Sequence, residues 1–170
     1  PDIYAAGDCA EIYHMVKKAN DYIPLATTAN KCGRIAGENL GGRQIECPGT
    51  LGSAAIKVGR LELARTGLSE AEAASLGFDY KTTTITAYNK PTYYPGSYEI
   101  QLKMIYEKGT KRVLGAQGAG NSGVVLRIDA IAAAISGGLT AEQLGYQDFC
   151  YAPPFATVWD PVNILANTAK

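Results

Sequence analysis

Gly7 and Asp8 close a short apolar run in the opening octet Pro1-Asp2-Ile3-Tyr4-Ala5-Ala6-Gly7-Asp8. The run predicts a buried strand over Ile3 to Ala6. Gly7 then permits a close backbone approach or a positive φ, and Asp8 places a carboxylate at the strand's carboxyl end, where α/β sheets bind ligands. That combination suits a hydroxyl-bearing ligand. A buried strand needs earlier strands to pair with, so the sequence reads as beginning in the middle of a domain.

Phenols are the second resource. Tyr93-Tyr94-Pro95-Gly96 and Tyr151-Ala152-Pro153-Pro154-Phe155 are proline-stiffened aromatic loops in a chain with 11 tyrosines. Proline restricts such loops and can hold a phenol in place for use, although a loop tyrosine more often packs against a partner surface. Thiols and imidazole offer less. Cys9, Cys32, Cys47 and Cys150 show no C-x-x-C spacing and have only His14 to join them, so no metal site and no disulfide scaffold are expected, and they read as reduced structural thiols. His14 falls in a polar stretch and reads as solvent-exposed. Arg127 and Asp129 read as a solvated pair on a helix surface with little net energy.

Gly118-Ala119-Gly120-Asn121-Ser122-Gly123 satisfies G-x-G-x-x-G between a predicted strand and a predicted helix, the pattern of a dinucleotide fingerprint. The fingerprint also needs a following parallel strand with an acidic residue about 20 positions on. Here the chain runs through Gly137-Gly138-Leu139 into another helix, so a tight strand-to-helix turn is expected instead.

The elements that must hold these residues change character along the chain. Residues 1–46 read as a strand, a polar loop and a helix from Leu25 to Leu40 stopped by Gly41-Gly42, with Cys47-Pro48-Gly49 as a linker. Beyond it come Ser53 to Val58 and Leu61 to Thr66 around a Gly59-Arg60 hairpin turn, then Tyr80 to Tyr88, Tyr98 to Tyr106 and Arg112 to Gln117. Ser69 with Glu72 and Thr140 with Gln143 are capping boxes. Val124 to Ile135 is an amphipathic helix, and Asp160-Pro161 opens a last one beside the packing aromatic Trp159. The expected class is α+β: an antiparallel, roughly five-stranded sheet with helices on one side.

Ile3-Tyr4-Ala5-Ala6-Gly7-Asp8, followed by Pro24-Leu25-Ala26 and a helix through Ala29 and Gly33, resembles the second flavin-binding motif of the pyridine nucleotide-disulfide oxidoreductases. The resemblance implies that residues 1–46 are the carboxyl-terminal remnant of an α/β FAD-binding domain and 47–170 a dimerisation domain. It implies that Asp8, set by Gly7, accepts a hydrogen bond from the FAD ribityl chain, and that the helix start at Leu25 and Ala26 points N–H groups at the flavin pyrimidine edge. A helix start offers unpaired donors and a positive dipole end, which suit the charge of a reduced flavin.

The Tyr-Tyr-Pro-Gly and Tyr-Ala-Pro-Pro segments resemble those of the coenzyme A-disulfide reductase and NADH oxidase branch. The resemblance implies tyrosines that cross a homodimer interface to the partner's flavin and redox cysteine, Tyr151 first and Tyr94 or Tyr93 second. A phenol there could donate to a thiolate or protonate a departing thiol. The glutathione reductase branch uses a carboxyl-terminal histidine in that place, which this sequence lacks.

The implied parent is an FAD enzyme taking hydride from NADH or NADPH and passing it to oxygen, peroxide or coenzyme A disulfide, with the upstream fingerprint, the NAD(P)H domain and the redox cysteine outside this sequence. By itself this fragment is expected to be inactive, and a stand-alone dimerisation or interaction module is the alternative. Zero formal net charge with no long basic run argues against nucleic acid and anionic membranes as partners. No apolar run approaches the roughly 20 residues of a membrane helix, and no signal pattern opens the sequence, so the cytoplasm is the expected compartment.

Overall fold

The computed structural model describes residues 3–170; Pro1 and Asp2 of the opening run lie outside the described residues. The chain divides into two compact units, one ending at Gly52 and the other Ser53–Lys170.

In the first unit Ile3 to Ala6 is not a strand. No strand among the described residues lies beside it, and an extended segment gains ladder hydrogen bonds only from a neighbour. The polar stretch after it holds a small hairpin instead, β1 (Ile12–His14) antiparallel to β2 (Ala19–Asp21), with Ile12 opposite Asp21 and His14 opposite Ala19. Lys18 turns the chain at φ 54°. His14 is buried rather than exposed, and its Nδ1 accepts from the N–H groups of Val16 and Lys17, both at 3.2 Å. A short hairpin of mixed polarity has no period to betray it, which is why the imidazole reads as solvated from sequence.

Helix α1 (Ala26–Leu40) starts after Pro24, which holds Ile23 away from helical geometry, and stops at Gly41-Gly42, where Gly42 takes φ 96°. None of its side chains is buried.

The second unit is α+β. Strands β3 (Ala54–Val58), β4 (Leu61–Gly67), β5 (Tyr80–Tyr88), β6 (Glu99–Glu107) and β7 (Val113–Gly120) form one antiparallel sheet in the order β3-β4-β7-β6-β5. Val58 faces Leu61 across the two-residue Gly59-Arg60 turn, as the spacing requires. Helix α2 (Glu70–Ser75) follows β4, and α3 (Val124–Ser136), α4 (Ala141–Gly145) and α5 (Pro161–Asn167) follow β7. Both capping boxes form: Ser69 accepts from Glu72 N–H and Thr140 from Gln143 N–H.

Helix α3 lies on β4 and β7, and α5 on β5 and β6. Alternation along β6 sends Ile100, Leu102 and Met104 into the core, where Ile128, Ile131 and Leu165 of the helices are buried as well. Gln101 and Lys103 alternate to the other face, where with Leu63, Arg65 and Gln117 they line a shallow concavity of about 620 Å³.

The glycine run at the end of β7 is explained by packing. A Cβ on Gly118 would stand 2.6 Å from Val124 Cγ1 and 2.9 Å from Leu102 Cδ2, so the missing side chain lets α3 settle directly on the sheet. Gly118 and Gly120 pair with antiparallel neighbours on both sides, the opposite of the parallel context a dinucleotide fingerprint needs.

Candidate functional site

In the first unit the turn that carries Gly7 and Asp8 lies near the start of α1, which carries Leu25 and Ala26. Gly7 takes φ +95°, and a Cβ placed on it would lie 3.8 Å from Ala29 Cβ, so the Gly7-Asp8 turn rests against the first turn of α1. Leu25 is the N-cap and makes no side-chain cap, and no acidic residue lies in the first turn. The ladder opens with Ala29 N–H donating to Leu25 C=O at 2.9 Å, which leaves the N–H groups of Ala26, Thr27 and Thr28 without an intrahelical acceptor. Asp8 is exposed and its carboxylate accepts no side-chain hydrogen bond among the described residues. A free acceptor beside a cluster of free donors fits a ribityl hydroxyl and a flavin pyrimidine edge.

The second unit holds the tyrosines. Tyr93 and Tyr94 lie in the turn between β5 and β6, where Tyr94 N–H donates to Pro91 C=O at 2.9 Å and Ser97 Oγ to Lys90 C=O at 2.8 Å. Sequence left open which of the two matters. Their surroundings differ: Tyr94 stacks under Lys90, whose Nζ is 5.2 Å from the ring centre, whereas Tyr93 is the more exposed of the two. Partial desolvation and the Tyr151 hydroxyl together push the Tyr93 phenol above its ordinary pKa. Both rings remain open to solvent, Tyr93 at 75% and Tyr151 at 46%.

Arg127 fastens the two loops together, a role sequence reasoning missed. Its guanidinium is buried and donates to Asp160 through Nε at 3.1 Å and Nη2 at 2.8 Å, to Asn89 C=O at 2.8 Å and to Gly123 C=O at 2.8 Å. Asn89 opens the Tyr93 loop, where its own Oδ1 accepts from Tyr98 N–H at 2.9 Å. Asp160 closes the Tyr151 loop and caps α5 through Val162 N–H at 2.9 Å. Arg127 is therefore no solvated partner of Asp129, which is exposed. An arginine inside the apolar run Val124 to Ile135 was the available signal, since a charge among buried positions needs a partner elsewhere. Asn163 adds a further clamp on the second loop, donating to Leu144, Gly145 and Gln147 carbonyls at 3.0–3.3 Å.

Around these loops Leu126, Tyr146, Phe155, Val158 and Trp159 are all more than half exposed. A rigid antiparallel sheet backed by helices on one face and carrying so much surface aromatic area is a domain built for association. The chain belongs to the pyridine nucleotide-disulphide oxidoreductase dimerisation-domain family, whose model matches residues 53–161. It is 46% identical over 169 residues to the CoA-dependent NAD(P)H sulfur oxidoreductase of Pyrococcus furiosus, a match covering 99% of this chain and 38% of that protein. An NADH oxidase of Methanocaldococcus jannaschii is 37% identical with the same coverage of both chains. Among solved structures, an NAD-dependent persulfide reductase from A. fulgidus superposes with a TM-score of 0.95 at 41% identity, covering 98% of this chain and 31% of that one. The chain thus spans about 38% of the length of the curated relatives it matches.

Proposed function

We propose that this chain supplies the flavin-contacting end and the dimer interface of a longer FAD-dependent NAD(P)H oxidoreductase that reduces a sulfur–sulfur bond of a coenzyme A-type disulfide or persulfide. The observation that carries the reading is the fastening of the Tyr93 loop and the Tyr151 loop by one buried arginine, Arg127, through Asn89 and Asp160. Bound FAD would relay the electrons of NAD(P)H toward the acceptor.

The chain's own residues do the rest. Asp8 receives a ribityl hydroxyl, and the open N–H groups at Ala26 receive the pyrimidine edge. The Tyr151 hydroxyl, on a loop fixed by Asp160 and Arg127, gives its proton to a departing thiolate, with Tyr93 on the loop fastened beside it. Two copies of the chain associate through the aromatic surface, placing each pair of tyrosines at the partner's flavin site. The unburied α1 supports the assignment of residues 1–46 to a larger flavin domain, because a helix with no buried side chain lacks its packing partner. Likeness to the sulfur oxidoreductase and the persulfide reductase supports sulfur over oxygen as acceptor, with the NADH oxidase likeness supporting oxygen or peroxide as the second reading.

Flavin absorbance and NAD(P)H-dependent thiol release from coenzyme A disulfide by the longer protein test this. A flavin-free protein, or one that consumes only oxygen, contradicts it. A non-catalytic association module would show self-association with neither.

A further inference from the structure

Cys32 and Cys47 are not the isolated structural thiols that their spacing implies. Cys32 stands mid-way along α1 and is half-buried, Cys47 is exposed in the segment that returns alongside it, and their Sγ atoms are 3.3 Å apart. Two ties hold this arrangement. Asn39 clasps Ile45 in both directions, Nδ2 donating to Ile45 C=O at 3.0 Å and Oδ1 accepting Ile45 N–H at 2.8 Å. The thiols themselves share the second, sulfur to sulfur. A disulfide S–S bond is about 2.05 Å, so the sulfurs need to close by only about an ångström.

We infer that Cys32 and Cys47 form a redox-active dithiol, a site of reversible disulfide formation that takes a low-molecular-weight disulfide as its oxidant. Cys47 is the attacking sulfur. It is open to solvent, whereas burial, and after it the neighbouring Cys47 sulfur, push the Cys32 thiol up to about 11, so Cys32 keeps its proton at neutral pH. The Cys47 thiolate attacks one sulfur of the oxidant, forming a mixed disulfide and expelling one thiolate. Cys32 then attacks the Cys47 sulfur, its proton passing to the second departing thiolate. Two protein thiols are oxidised and one small disulfide is reduced to two thiols. The bond ties the segment after Gly42 to α1. The inference is independent of the tyrosine reading, since neither sulfur belongs to that site.

Oxidised glutathione serves as the probe on the intact chain, with quenching and tryptic mass spectrometry as the readout. Trypsin cuts after Lys31, Arg34, Arg43 and Lys57, so the bond joins peptide 32–34 to peptide 44–57. The expected result is that cross-link, with two hydrogens lost and with Cys9 and Cys150 excluded from it. In the Cys32→Ser variant the reaction stops at a glutathionyl adduct on Cys47, present at least about tenfold above its level in the unaltered chain, because a sulfur already in contact outcompetes a second glutathione. The inference is overturned if the adduct on Cys47 is equally abundant with and without Cys32. Cross-links to Cys9 or Cys150 matching the Cys32–Cys47 bond in yield overturn it as well.

Discussion

Arg127 on α3 and Asp160 at the head of α5 form a buried, two-pronged ion pair, Nε reaching both carboxylate oxygens at 3.1 Å and Nη2 one of them at 2.8 Å. The same guanidinium holds the Asn89 and Gly123 carbonyls, so one side chain joins a strand turn, a helix start and the loop bearing Tyr151.

Arg127→Met should therefore cost about 3 kcal/mol or more in denaturant unfolding, because it strands the Asp160 carboxylate and two carbonyls. Pairing it with Asp160→Asn should cost less than the two single losses added together. Additivity would mean that the pair is not coupled.

Gly118→Ala should destabilise the second unit by roughly 1–3 kcal/mol, since the new methyl collides with Val124 and Leu102. If the glycine run served a nucleotide, the change would leave thermal stability near the parent value and instead alter binding of added dinucleotide. Thermal unfolding with and without dinucleotide separates the two.

These two cases show what was legible. Devices carried by a local spacing could be read: the Ser69 and Thr140 capping boxes, the Asp160-Pro161 helix start and the Gly59-Arg60 hairpin all form as their spacing implies, whereas the β1–β2 hairpin, which has no such spacing, could not. Nor could contacts between residues distant in sequence. Arg127 and Asp160 are 33 residues apart, and no local pattern says that a charge on α3 turns inward. Ile3 to Ala6 looked like a strand because it has strand composition, yet a strand is a property of two segments. Tyr93 and Tyr94 are indistinguishable in sequence, and only the path of the turn sets Tyr94 under Lys90 and leaves Tyr93 open to solvent.

The β1–β2 hairpin should loosen in acid. The hydrogen bond from Lys17 Nζ at 2.6 Å, with its positive charge, holds the Asp21 carboxyl below the ordinary carboxylate range against a smaller opposing effect of burial. A depressed folded pKa means the stabilisation is full above the unfolded carboxylate's pKa and is lost as pH falls through the folded value. The pair is partly exposed, so the effect is on the order of half a kcal/mol. The protection of amides across Ile12–His14, each rate taken relative to the intrinsic rate at the same pH, should fall below that pH in the parent chain, and Asp21→Asn should remove this fall.

Tyr93 should titrate above an ordinary phenol, and Tyr151→Phe should bring it part of the way back. The residual shift comes from desolvation, the larger of the two causes. Ring-labelled NMR titration of Tyr93 reads this directly; an unchanged Tyr93 in the variant would mean that the two hydroxyls do not communicate.

The most direct measurement is stopped-flow kinetics of the flavin-containing enzyme carrying Tyr151→Phe, following flavin reduction by NAD(P)H and the subsequent step with coenzyme A disulfide separately. Deleting one oxygen keeps the ring's packing and removes the proton donor. Reduction by NAD(P)H and flavin content should stay within about twofold of the parent, while the sulfur–sulfur step slows on the order of a hundredfold. Parent-like rates in both steps would contradict a proton-donor role and leave Tyr151 as an aromatic of the association surface.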